Sequence, residues 1–86
     1  MKIFSVFDSK VESYMTPFFM RHNGEAIRAF TQMVTDTSNP NNMAAKYPAD
    51  FTLFELGSFD DSTGKISTLP TPKSLGVGSE FVSKSV

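Results

Sequence analysis

Cysteine and tryptophan are absent from the 86 residues, and His22 is the single histidine. Without thiols there is no disulfide framework, no thiol chemistry and no Cys-containing zinc site. One His excludes a multi-His metal site within one chain. Long apolar runs are also missing, and none approaches the roughly 20 residues that cross a bilayer. The opening Met1-Lys2-Ile3-Phe4-Ser5-Val6-Phe7 meets Asp8 at once, too soon for the apolar core of a secretory signal, so the chain reads as intracellular. An excess of positive charge is lacking too. The formal net charge is -1 and the sequence pI about 5.7, a poor match for a protein that coats nucleic acid by charge alone.

What is present is phenylalanine, nine residues of it in one small domain. The expected domain spans 1–82, with 83–86 a frayed, small-residue tail. The stretch Asn23-Gly24-Glu25-Ala26-Ile27-Arg28-Ala29-Phe30-Thr31-Gln32-Met33-Val34 has the clearest helical period. At about 100° per residue, Ala26, Ile27, Phe30, Met33 and Val34 share one apolar arc. Asn23 is the expected N-cap, Glu25 suits the positive end of the helix dipole, and the helix should run to about Asp36.

Residues 2–8 alternate and are rich in β-formers, with Ile3, Ser5 and Phe7 on one side and Phe4 and Val6 on the other, the pattern of a central strand. Residues 9–16 admit either a short helical turn, with Ser9 and Glu12 as a capping box, or an irregular loop. Pro17-Phe18-Phe19-Met20-Arg21 suits a short edge strand. Residues 37–50 read as a long connection, part of it mobile. A strand is expected over 51–59, with Phe51, Leu53 and Phe59 on one face and Phe54 and Leu56 on the other. A hairpin loop follows at 60–64, with Gly64 in the left-handed position, and Pro70 and Pro72 should stop the second arm. Residues 74–78 form either a short strand or a loop. The fold class is therefore α+β: a small antiparallel sheet of three to four strands with one main amphipathic helix on one face. One helix covers one face only. The other needs the C-terminal segment, Phe18-Phe19 or another molecule, and a two-fold homodimer is one economical solution.

Lys2-Ile3-Phe4-Ser5-Val6-Phe7-Asp8-Ser9-Lys10, Pro17-Phe18-Phe19 and Gly24-Glu25-Ala26-Ile27-Arg28-Ala29-Phe30 together resemble the small nonstructural protein of gokushoviruses, single-stranded DNA bacteriophages of the microvirus family. A second block, Tyr47-Pro48-Ala49-Asp50-Phe51-Thr52-Leu53-Phe54-Glu55-Leu56-Gly57-Ser58-Phe59-Asp60, continues the resemblance, as do Thr63-Gly64-Lys65 and Ser74-Leu75-Gly76. The segment 39–45 is longer than usual for such proteins. The resemblance implies a nonstructural role when replication turns to progeny single strands, with single-stranded DNA or viral replication proteins as partners. It also implies a place in the cytoplasm of the infected bacterial host and not in the mature virion. It carries over no catalytic or binding residue.

The residues themselves offer a modest candidate set. Lys2, Lys10, Arg21, Arg28 and Lys46 make the first half slightly basic and are candidates to face phosphates. Arg28 has Glu25 at i−3 as a local ion-pair partner, whereas Arg21 has none near in sequence. Phe4, Phe7, Phe30, Phe51 and Phe54 are expected in the core. Phe18 and Phe19 are adjacent and must point oppositely in an extended segment, so one of them is the candidate stacking ring. Asp60 and Asp61 read as turn formers. No base, nucleophile and orienting group occur as a set, so no enzyme, cofactor, metal or small-molecule substrate is expected. The expected function is a non-enzymatic phage replication accessory that engages single-stranded DNA or the replication complex. The alternative is a protein-binding module for assembly or a host factor, which the acidic pI favours.

Overall fold

The alternating β-formers at the start of the chain build β1 (Lys2–Asp8). The structure, a computed structural model, describes residues 1–82. After a turn at 9–12 the chain forms β2 (Ser13–Tyr14), then β3 (Phe18–Met20), α1 (Asn23–Thr35), α2 (Met43–Lys46), a 3-10 turn (Pro48–Asp50), β4 (Phe51–Asp60), β5 (Lys65–Val77) and α3 (Gly78–Val82). All pairings are antiparallel. β4 lies along one side of β1 and β5 beyond it; β2 and β3 share the other side of β1, end to end. The result is an α+β domain with a five-stranded sheet, one strand more than the upper expectation because 13–14 pairs as a strand.

Residues 9–16 are thus neither a helical turn nor a loop throughout. Ser9 does not cap a helix; its Oγ donates to the Asp50 carbonyl at 3.1 Å. Glu12 takes a positive φ of 57° to close the turn. Pro70 and Pro72 do not end β5 either. Pairing with β4 lapses between Thr68, opposite Gly57, and Lys73, opposite Glu55, and the prolines sit in that gap on an edge strand, where the missing N–H is tolerated. Gly57 is buried beside the Ser67 carbonyl, so close that a Cβ there would collide with it.

The helical arc packs as its period dictates. Ala26, Phe30 and Val34 are buried, with Ile27 and Met33 packed against the same cluster. The cluster also contains Phe4, Val6, Leu53 and Phe51 from the sheet. The expected N-cap is displaced by one residue. His22 is the N-cap and its N–H donates to Glu25 Oε1 at 3.0 Å, while Asn23 lies inside the first turn and its Oδ1 accepts from Lys2 Nζ at 2.9 Å. The segment 37–50, expected as an open connection, winds into α2 and the 3-10 turn. Asn42 ties it back, its Nδ2 donating to the carbonyls of Met33 and Asp36, both at 2.9 Å. α3 closes the same layer, with the Phe81 ring edge-on to Phe30 at 5.7 Å. The expected frayed tail lies outside the described residues.

Candidate functional site

Residues directly opposite in an antiparallel pair project to the same side, so the register assigns every strand position to a face. Phe4 faces Phe18 and Glu55, and Val6 faces Leu53; these are the positions under α1. Ile3, Ser5 and Phe7 take the other side, together with Phe19, Tyr14, Phe54 and Thr52. Between Ile3/Phe4 on β1, the partner skips from Gly57 to Glu55, so Leu56 is an extra residue in β4. That bulge reverses the parity beyond it. Phe59, expected beside Phe51 and Leu53, is carried to the opposite face, where it meets Phe19.

Five rings therefore share the face away from the helices, in two groups. Phe7, Tyr14 and Phe54 touch one another, with centroids 4.9 Å apart for Phe7–Tyr14, 5.7 Å for Tyr14–Phe54 and 6.4 Å for Phe7–Phe54. Phe19 and Phe59 form the second group at 6.0 Å. Tyr14 and Phe19 are each 45% exposed, and Ile66, opposite Phe59, is 60% exposed. The hydroxyl on this face, Ser5, lies opposite Phe54, is buried and donates to the Met15 carbonyl at 2.6 Å. None of the paired strand positions on this face carries a charge.

The residues singled out from the sequence are dispersed. Phe19 is on the ring face. Phe18 is on the helix side, stacked on Phe4 at 5.8 Å. Lys2 faces the helix layer, bound to Asn23 and 3.7 Å from Glu55 Oε2, an interaction that at 40% exposure of the lysine contributes little. Arg21 is exposed immediately after β3, Lys10 is exposed in the 9–12 turn, Arg28 is on the outer side of α1, and Lys46 ends α2. Lys2–Glu55 is the one ion pair among the described residues, so the anticipated Glu25–Arg28 pair does not form and Glu25 caps α1 instead.

Phe7 and Phe54, expected in the core, stand half-buried on the ring face with Tyr14 and Phe59, and all four escaped the candidate set. The alternation of β1 already placed Phe7 opposite Phe4. Tyr14 required seeing 13–14 as a strand, and Phe59 required the bulge, which has no sequence signature of its own.

Elsewhere, a shallow cleft of about 340 Å³ opens between the 9–12 turn and α2, lined by Val11, Met43, Tyr47 and Phe51 together with Asp8, Lys10 and Asp50. Its surface is mainly apolar, and its lining pairs no nucleophile with a base. Among the described residues no three His, Cys, Asp or Glu side chains converge on a point where they would hold a metal ion. No described helix is long and apolar enough to cross a membrane. The carboxylates with perturbed pKa values are Asp36 and Asp60, each held below the usual range by the hydroxyl, then the N–H, of a serine two residues on. Both are turn groups, as the sequence suggested for Asp60.

No curated protein and no solved structure matches this chain. A family model does match, over residues 1–81, and by it the chain belongs to the phage ORF5 protein family.

Proposed function

We propose that this phage protein is a non-enzymatic replication accessory that binds single-stranded DNA through the ring face of its sheet, in the cytoplasm of the infected bacterial host. The observation that carries this reading is the set of five rings, Phe7, Tyr14, Phe19, Phe54 and Phe59, gathered on a face that no described helix covers. An antiparallel sheet that presents aromatic rings is a surface on which unpaired bases stack, whatever their sequence. A duplex keeps its bases stacked on one another and offers no base face to such a platform. The resemblance to gokushovirus nonstructural proteins supports the same partner. The test is binding of a fluorescent oligothymidylate and of a duplex of equal length at two salt concentrations. Binding of the single strand over the duplex, weakened by Phe19→Leu, which keeps the apolar contact and removes the π face, is the expected result. Equal binding of both, or none at low salt, overturns it.

The absence of charge from the ring face favours a second reading, in which the face is covered by another protein surface, for instance a second copy. The 40 and 25 Å extents of the molecule leave room for the roughly 800 Å² per partner of a standard interface. Sedimentation over a concentration series separates the two: self-association abolished by Phe19→Asp, with no oligonucleotide bound, selects the protein partner.

A further inference from the structure

The single-strand reading can be taken further, because the rings are not spread evenly. Phe7, Tyr14 and Phe54 gather toward the C-terminal end of β1, and Phe19 and Phe59 toward its N-terminal end. No ring contact joins the two groups among the described residues. Measured on β1, their centres lie about four residues apart, or roughly 13 Å at the rise of a strand. On β1, Ser5 lies opposite Phe54 and Ile3 opposite Phe19, and the Ser5 hydroxyl is committed to Met15. One strand must therefore span roughly 13 Å to reach both groups.

Charge is placed asymmetrically around these groups. Arg21 follows β3 directly, two residues beyond Phe19, is exposed, and takes part in no ion pair among the described residues. At the other end of β1, Asp8 follows Phe7, and Lys10 borders the cleft on the helix side. A planar guanidinium beside an exposed ring complements the phosphate of a base stacked on that ring.

We infer that the ring face holds single-stranded DNA at two stacking stations, Phe7–Tyr14–Phe54 and Phe19–Phe59, with Arg21 on one phosphate at the second, so that one strand spans both. This rests on the single-strand reading above. The middle nucleotides bridge the stations and contribute little through their bases. With one phosphate contact, affinity falls only gently with salt, with a log–log slope of roughly -0.7, the value per phosphate for single strands.

Fluorescence anisotropy with oligothymidylates of two to eight nucleotides tests this. Affinity should climb steeply until an oligomer is long enough to span both stations and then level off. In the shortest oligomer that reaches the plateau, an abasic sugar at either end should weaken binding by roughly 5- to 150-fold, the range for loss of one stacked base, and one in the middle by much less. Arg21→Gln should flatten the salt slope to near zero and leave the length dependence intact. A dinucleotide as tight as an octamer, or a central abasic sugar as costly as a terminal one, overturns the two stations while single-strand binding stands. An unchanged slope in Arg21→Gln overturns the phosphate assignment. Failure of every oligomer to bind brings down the single-strand reading itself. Unchanged denaturation midpoints for Arg21→Gln and Phe19→Leu establish that lost binding is not lost folding.

Discussion

Phe18 and Phe19 are neighbours in one short strand, yet Phe18 stacks on fully buried Phe4 under the helix layer while Phe19 keeps 45% of its surface in water. The same contrast holds for the whole sheet. α1 contacts α2 and α3, and the 3-10 turn contacts α2 and α3, so the four form a single layer. Among the described residues, no helix lies on the opposite face. Both faces are built from phenylalanine and aliphatic residues, so residue type does not decide which is core; what covers a residue decides it. The helix face is where stability is concentrated, each fully buried large side chain being worth about 1.5–3 kcal/mol. The ring face retains hydrophobic surface that a purely structural domain would tend to hide.

The largest expected effect tests that division directly. Phe30, 1% exposed and at the centre of the helix-side cluster, should cost about 3–5 kcal/mol on replacement by Ala. That is enough to approach unfolding of a domain this small. Phe19→Ala should cost under about 1 kcal/mol, close to ordinary surface substitutions. Denaturant midpoints of the two variants provide the comparison, and equal losses would mean that both faces are core.

A smaller effect concerns the turn that aligns β5 with β4. Gly64 has φ of +75°, and its N–H donates to the Asp60 carbonyl at 2.7 Å, which sets Ile66 opposite Phe59 on the ring face. Gly64→Val should destabilise by about 1–2 kcal/mol or more, since a β-branched residue resists that conformation. Thr63→Val should do much less. Thermal melts of the pair sharpen the comparison of faces, because a slipped register would exchange ring-face and helix-face positions in β5.

At the opposite end of the sheet, Glu12 occupies a left-handed position with a side chain that disfavours it. Glu12→Gly removes the steric cost but adds chain entropy to the unfolded state. A net gain of a few tenths to about 1 kcal/mol is expected in the melting curve. If Tyr14 remains beside Phe7, oligonucleotide affinity should not change.

Local periodicity made the helix face legible. Ala26, Phe30 and Val34 recur at helical spacing, and Phe4 and Val6 alternate against Leu53, so the core could be read without knowing which strands pair. The ring face was only half legible, because it depends on non-local events. Phe59 changes sides through an extra residue at Leu56, and that bulge exists only as a mismatch between two strands distant in sequence. Tyr14 joins the rings because 13–14 adds to the edge of β1, a pairing that two residues cannot announce by pattern. β5 passes its prolines because an edge strand needs no N–H on its open side, and edge status is a property of the assembled sheet. The candidate cations failed to converge for the same reason: charge counted along the chain says nothing about which face it reaches.

The smallest expected effect is electrostatic and compares the two layers through matched turns. Asp36, just past α1, accepts at Oδ1 from the Ser38 hydroxyl at 2.5 Å and the Ser38 N–H at 3.0 Å. Asp60, just past β4, accepts likewise from Ser62 at 2.7 and 2.9 Å. In each case the serine hydroxyl is the larger cause of a lowered pKa. A carboxylate whose folded pKa lies below its unfolded value adds stability that is fully present above the unfolded value of about 3.9 and fades as pH falls through the lower, folded value. Stability measured from pH 5 downward should therefore begin to fall near that value. Asp36→Asn and Asp60→Asn should each remove part of the slope, because Asn keeps an acceptor oxygen but does not titrate. Both groups are fully exposed, so the contributions are small and should shrink further with added salt. The binding of oligothymidylate should not follow either substitution, because both turns lie at element ends and neither carboxylate is on the ring face. A parallel loss of affinity in Asp60→Asn, without loss of stability, would place the β4–β5 turn inside the binding surface and erase the boundary between the two stations and the structural remainder of the sheet.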